Sequence, residues 1–268
     1  MGPITLSISN TPQVNGWLVL ILAGVAWLCP AFAYGHEQPP VGCSPMPARP
    51  ENPFLQPLNI DLIKRELLYY RCSRYDADIP AVVNDAKDWL ERRRAQVSNP
   101  AIVLDIDETS ISNWTRIHKN DFAYIVNGTC DLAKLGDPCG DIAWQESGQA
   151  PAIRPTLDLF DLAKCNSTPP VACCTKVAVF FVTGRYKIAK ERTERNLLNA
   201  HYNDWDGLYL RDPATAGQPV SFHKIAARID IERLGFTIIA NIGDQQSDLA
   251  GGHAERTFKI PNPFYFID

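Results

Sequence analysis

The chain has 268 residues, of which 46% are hydrophobic and 21% charged, with a formal net charge of −4. That length suits one sizeable α/β domain or two small ones. The mild acidity excludes a broad basic surface for a nucleic-acid polymer, but it leaves small anionic substrates open, because local cations and bound metal decide that question.

No Asp, Glu, Lys or Arg precedes Glu37. Within this uncharged stretch residues 17–28 are strongly apolar, and Ala31-Phe32-Ala33 follows as a small–x–small triplet. The pattern predicts a signal peptide over residues 1–33, cleaved after Ala33, although no Lys or Arg precedes its apolar core. That core is short for a membrane-spanning helix, so no stable span is expected after cleavage. Residues 34–58 are rich in Pro and polar residues and read as an extended, poorly ordered lead-in.

Residues 59–97 carry apolar side chains at helical spacing, with Pro80 expected to separate two helices. Residues 101–107 are an apolar run ending in acid, the pattern of a buried parallel strand that delivers side chains at its C-terminal edge. Residues 110–153, rich in Trp, Gly, Asp and Asn, interrupt the alternation and read as a small cap inserted over the strand ends. A helix over 156–163 comes next. Further strands over 176–185, 207–211 and 236–244 alternate with helices over 188–200 and 222–234. The order predicts an α/β fold, an open parallel sheet with helices on both faces in which ligands bind beyond the carboxyl ends of the strands. Domain 59–268 would hold the whole activity.

Cleavage would leave seven cysteines, a count that suits a periplasmic or extracellular protein. Cys130 and Cys139 bracket a short segment that a disulfide would staple. Cys165 is placed to pair with Cys173 or Cys174, and Cys43 with Cys72. Three N-x-S/T triplets occur, at Asn113, Asn127 and Asn166, and matter only in a eukaryotic secretory pathway.

Four clusters carry chemistry. Asp105-Ile106-Asp107-Glu108-Thr109 ends the first strand. Alternate residues of a strand share a face, so Asp105 and Asp107 are expected near one centre, where paired carboxylates call for a cation or a proton. Mg²⁺ prefers oxygen ligands, and a carboxylate can also attack phosphorus. Val182-Thr183-Gly184-Arg185 offers a hydroxyl and an open backbone N–H to phosphate oxygens. Lys224 supplies a cation. Gly243-Asp244-Gln245-Gln246-Ser247-Asp248 offers further metal ligands in Asp244 and Asp248, the latter also suited to orienting Lys224. Each cluster alone is also an ordinary turn, helix start or surface charge. Their order, each at or near a strand end, is the signal. The aromatics Trp114, Phe122, Tyr124 and Trp144 of the insertion either pack its small core or face a leaving group.

Together with Phe258-Lys259-Ile260-Pro261-Asn262-Pro263-Phe264-Tyr265, these motifs resemble the haloacid dehalogenase (HAD) superfamily, subfamily IIIB acid phosphatases. That group includes class B-type, lipoprotein e(P4)-like and plant vegetative storage protein-like members. The likeness covers roughly residues 60–267. It implies a HAD-like Rossmannoid fold and a secreted, Mg²⁺-dependent acid phosphatase acting on small phosphomonoesters. Asp105 would be nucleophile and metal ligand. Asp107 would be the acid/base and offer its backbone carbonyl to the metal. Thr183, Gly184 and Lys224 would hold phosphate, and Asp244 would complete the metal site with Asp248 near it. The chain departs from the family pattern at Gln246, where Trp is frequent, at Ser110, where Leu is common, and in a longer segment over 165–175. No lipid-attachment Cys is placed as in the lipoproteins. A storage-type binding protein with weak activity and a phosphotransferase to alcohol acceptors are the competing readings. Substrate identity and a possible homo-oligomer are not legible.

Overall fold

The computed structural model describes residues 58–166 and 174–268. The expected signal peptide, nearly all of the lead-in, and Cys43 lie outside the described residues. Among the described residues no helix is long and apolar enough to cross a membrane.

Five strands form one parallel sheet in the order β3-β2-β1-β4-β5. They are β1 Pro100–Leu104, β2 Ala178–Tyr186, β3 Gly207–Arg211, β4 Thr237–Gly243 and β5 Thr257–Lys259. The first four sit where the apolar runs place them. The fifth is new: three residues at a sheet edge give no periodic signal to read.

Every residue of β1 is buried, as a central parallel strand requires. Its alternate side chains separate two cores. Ile102 and Leu104 join one cluster with Tyr75, Ile79, Val83 and Leu90 of helix α2 (Tyr75–Arg93) and Leu157 and Phe160 of helix α5 (Arg154–Lys164). Ala101 and Val103 join the other, with Ala227 and Ile231 of helix α7 (Val220–Arg233). Helices therefore cover both faces. Helix α6 (Lys190–Asn199) links β2 to β3, adding Leu197 to the first core.

One boundary differs from expectation. Helix α1 (Ile60–Ser73), capped by the Asn59 side chain on the Asp61 N–H at 2.9 Å, ends at Arg74, not at Pro80. Pro80 lies inside α2, in its second turn, where its missing N–H removes one intrahelical donor near the start without breaking the helix.

The insertion holds two short helices, α3 (Trp114–Lys119) and α4 (Asp141–Ser147), and the Cys130–Cys139 disulfide closes the loop between them. Cys165 pairs with Cys174, one of its two expected partners. Cys72 is disulfide-bonded as well. All five cysteines among the described residues are thus disulfide-bonded.

Candidate active site

The strand order explains why the four motifs meet. From β1 the chain builds outward through β2 to β3, then returns to place β4 on the other side of β1. The reversal point lies at the carboxyl end of β1, where an open α/β sheet leaves a crevice. Asp105 follows β1 directly, its N–H bonded to the Ile242 carbonyl of β4 at 3.0 Å. Thr183 and Gly184 come from β2, Asp244 follows β4, and Lys224 rises from α7.

Lys224 is the centre of this group. Its Nζ lies 2.6 Å from Asp105 Oδ1 and also donates to Asp248 Oδ1. Side-chain exposure is 5% for Lys224, 8% for Asp105 and 2% for Asp248, so water screens these pairs little. Asp105, Asp244 and Asp248 each place a carboxylate oxygen within 4.8 Å of the others. Three carboxylates against one ammonium is an excess of buried negative charge. Burial, with Asp248 and Asp244 adding repulsion, pushes the Asp105 carboxyl well up despite Lys224. Burial first and Asp248 second push Asp244 up to about 6. An all-oxygen, anionic donor set of this kind fits a hard divalent cation.

Asp244 is held at both oxygens. Thr109 Oγ1 donates to Oδ1 at 2.9 Å, and the side-chain amides of Gln245 and Asn262 donate to Oδ2 at 2.6 and 2.7 Å. Asp248 Oδ2 accepts the Gln245 N–H at 2.7 Å in a capping box that opens the one-turn helix α8 (Gln246–Leu249). Arg228, fully buried, donates to the carbonyls of Asp248, Ala250 and Gly252 and so braces the turn.

The backbone of Gly243 is part of this fit. A Cβ there would stand 2.6 Å from Asp248 Cγ, closer than real contacts allow. Gly243→Ala is therefore expected to push Asp248 off Lys224 and destabilise the protein by about 1–3 kcal/mol, read by denaturant unfolding. An unchanged midpoint would mean that the turn yields freely.

Asp107 takes a different direction. Its carboxylate is not in the acidic cluster but forms a two-point pair with Arg185, Nε to Oδ2 at 2.8 Å and Nη2 to Oδ1 at 2.6 Å. Asn113 Nδ2 adds a bond to Oδ1 at 2.8 Å. Burial opposes the charged form, but the Arg185 charge and these hydrogen bonds outweigh it and hold the carboxyl below its ordinary range. Directly after Asp107 the loop is tight. Glu108 adopts φ 55°, a costly conformation for a side-chain-bearing residue, and its carboxylate is fixed by Tyr265 Oη at 2.7 Å and the Asn113 N–H. Burial, with Asp107 adding repulsion, raises Glu108 to about 7.

Arg185, Asn113, Thr109, Asn262 and Tyr265 thus belong to the site although the sequence assigned them no role. Thr109, Arg185, Asn262 and Tyr265 stood inside quoted motifs, and that adjacency was the available signal. Asn113 heads a glycosylation triplet, yet it is 3% exposed, with its amide oxygen accepting from Trp144 Nε1 at 2.7 Å. Attachment of a glycan there is excluded by packing. Asn127 and Asn166 are exposed.

Thr183 is buried behind the cavity wall and is not among the residues that border the cavity; its Oγ1 accepts the Arg185 N–H at 3.2 Å. Gly184, Asp105, Asp107, Lys224, Asp244 and Asp248 all border one cavity of about 670 Å³. The insertion lines its far side with Phe122 and Tyr124, while Trp114 and Trp144 are buried in the core. The four aromatics are thus divided between the two expected uses.

Residues 55–268 match the family model for the HAD superfamily, subfamily IIIB (acid phosphatase). The chain is 30% identical over 258 residues to the stem 28 kDa glycoprotein of Glycine max, covering 91% of this chain and 94% of that protein. It is 32% identical to acid phosphatase 1 of Solanum lycopersicum, over 62% of this chain and 58% of that protein. The class C acid phosphatase of Bacillus anthracis shares the fold, with a TM-score of 0.55 at 18% identity over 76% of this chain and 86% of that one. The chain therefore belongs to HAD subfamily IIIB and is an acid phosphatase, a phosphoric monoester hydrolase.

Proposed function

We propose that the chain is an exported, Mg²⁺-dependent acid phosphatase that hydrolyses small phosphomonoesters through an aspartyl-phosphate on Asp105. The observation that carries this reading is Asp105 at the crevice floor, 2.6 Å from Lys224 and within the acidic cluster. Asp105, Asp244 and Asp248, with the Asp107 backbone carbonyl, would hold the ion. Bound there, it supplies the positive charge that keeps the buried carboxylates ionised and offsets the charge of the phosphate.

In the first half-reaction an Asp105 oxygen attacks phosphorus, the P–O bond to the alcohol breaks, and the alcohol oxygen takes a proton from Asp107. In the second, Asp107 takes a proton from water, whose oxygen attacks phosphorus and returns the Asp105 carboxylate. Thr183, Gly184 and Lys224 hold the phosphoryl oxygens as charge spreads over them. Arg185 favours the ionised form of Asp107, the form the second half needs, so an acidic medium assists the first. Intact Asp105 stands against a storage-only role. The disulfides and the likeness to a plant stem glycoprotein support export.

Chelation tests the metal. EDTA is expected to silence hydrolysis of p-nitrophenyl phosphate, and Mg²⁺ to restore it; full activity in EDTA would sink the reading. Removal should also cost more stability at pH 7 than at pH 5. Asp244 sits at about 6 in the metal-free fold against about 3.9 unfolded, so its neutral form favours folding. That contribution is complete below about pH 4 and is lost as pH rises through about 6. Melting curves with and without EDTA at both pH values read the difference.

A further inference from the structure

We propose that the cavity beyond the phosphate end receives an apolar alcohol, an alkyl or aryl group, as the leaving group of the ester; this rests on the phosphatase reading above. Six large apolar side chains that remain exposed in the fold, Tyr124, Val126, Ile142, Ile188, Phe266 and Ile267, line this single cavity. Ile188 is 80% exposed and Phe266 76%. Isolated exposed apolar residues need no explanation, but a contiguous set that walls a cavity opening on reactive carboxylates is the signature of a site for an apolar group.

The polar groups of the same wall point the same way, because they are already matched to one another. Arg116 is paired with Asp141 at 3.3 Å, Gln145 Nε2 donates to Asp141 Oδ2 at 2.9 Å, and Arg192 Nε donates to Gln145 Oε1 at 3.0 Å. A sugar or nucleoside entering here would lose water from several hydroxyls and find few free partners, which costs affinity. Arg116 Nε makes no hydrogen bond, but it is buried and faces Asp141 Oδ1 in the ion pair, so it is not offered to a hydroxyl of the ester. An alkyl or aryl group asks nothing of these polar residues and covers the exposed side chains. Two of the six residues come from separate parts of the chain, Val126 from the insertion and Ile188 from the turn after β2, and both line this cavity.

The test uses the full chain with Mg²⁺ and reads kcat/KM for ethyl, butyl and hexyl phosphate, with glycerol phosphate and p-nitrophenyl phosphate as references. Each buried methylene should raise kcat/KM about fourfold, and hexyl phosphate should exceed glycerol phosphate. The double variant Val126→Ser, Ile188→Ser should lower the hexyl-to-glycerol ratio about tenfold. A flat alkyl series, a preference for glycerol phosphate or an unchanged ratio in the variant, with p-nitrophenyl phosphate still hydrolysed, overturns this inference and leaves the phosphatase reading standing. Release from none of the esters overturns both.

Discussion

Asp105→Asn is expected to lower kcat for p-nitrophenyl phosphate on the order of 10⁴-fold or more while leaving the fold intact. The amide keeps the volume and a carbonyl oxygen but cannot act as a nucleophile or carry phosphate. Stability should hardly fall. In the metal-free protein three buried carboxylates face one ammonium, and burial already pushes the Asp105 carboxyl toward its neutral form. An uncharged residue there removes repulsion with Asp244 and Asp248, while Lys224 retains its bond to Asp248. The variant should therefore melt at or slightly above the wild-type temperature without Mg²⁺, and gain less from added Mg²⁺. Acid quenching with radiolabelled substrate should trap label on the wild-type chain and none on the variant. Wild-type turnover by a variant verified by mass would rule out Asp105 as the nucleophile.

The contrast between Asp105 and Asp107 shows how far the sequence could be read. Both stood out at the end of one apolar run, and β1 ends at Leu104, just before the first of them. Alternation alone places them near one centre. It cannot show that Arg185, 78 residues on, draws the second carboxylate away from the acidic cluster. Likewise Lys224 was a single basic residue on a helix, and only the return of the chain from β3 to β4 sets it between Asp105 and Asp248. Strands and helices answer to local periodicity, which is written in consecutive residues. Ion pairs across the crevice answer to strand order, which is not. The missed edge strand β5 and the displaced break at Arg74 are the local failures. The former is too short for a pattern, and at the latter a Pro early in a helix resembles a Pro that begins one.

Lys224→Met is the variant expected to lose both activity and stability. Lys224 is the cation that the acidic cluster shares, and burial alone would favour its neutral form. Asp105 and Asp248 reverse that and raise its affinity for the proton. Truncating the charge leaves two buried carboxylates without their partner. Breaking a buried pair in this way costs about 3–5 kcal/mol, far more than a surface pair would. For a chain of this size that is a fall of about 10 °C in Tm. Adding Asp248→Asn should recover part of the loss, because it removes one of the two stranded charges, but it should recover no activity, because the phosphate still lacks its ammonium. Saturating Mg²⁺ should likewise raise the Tm of the single variant more than that of wild type, since the ion then faces carboxylates free of competition from Lys224. The three melting curves and the Mg²⁺ response together separate the two roles of Lys224. Equal destabilisation of single and double variants, with no added response to Mg²⁺, would show that its methylene packing, not its charge, holds the crevice together.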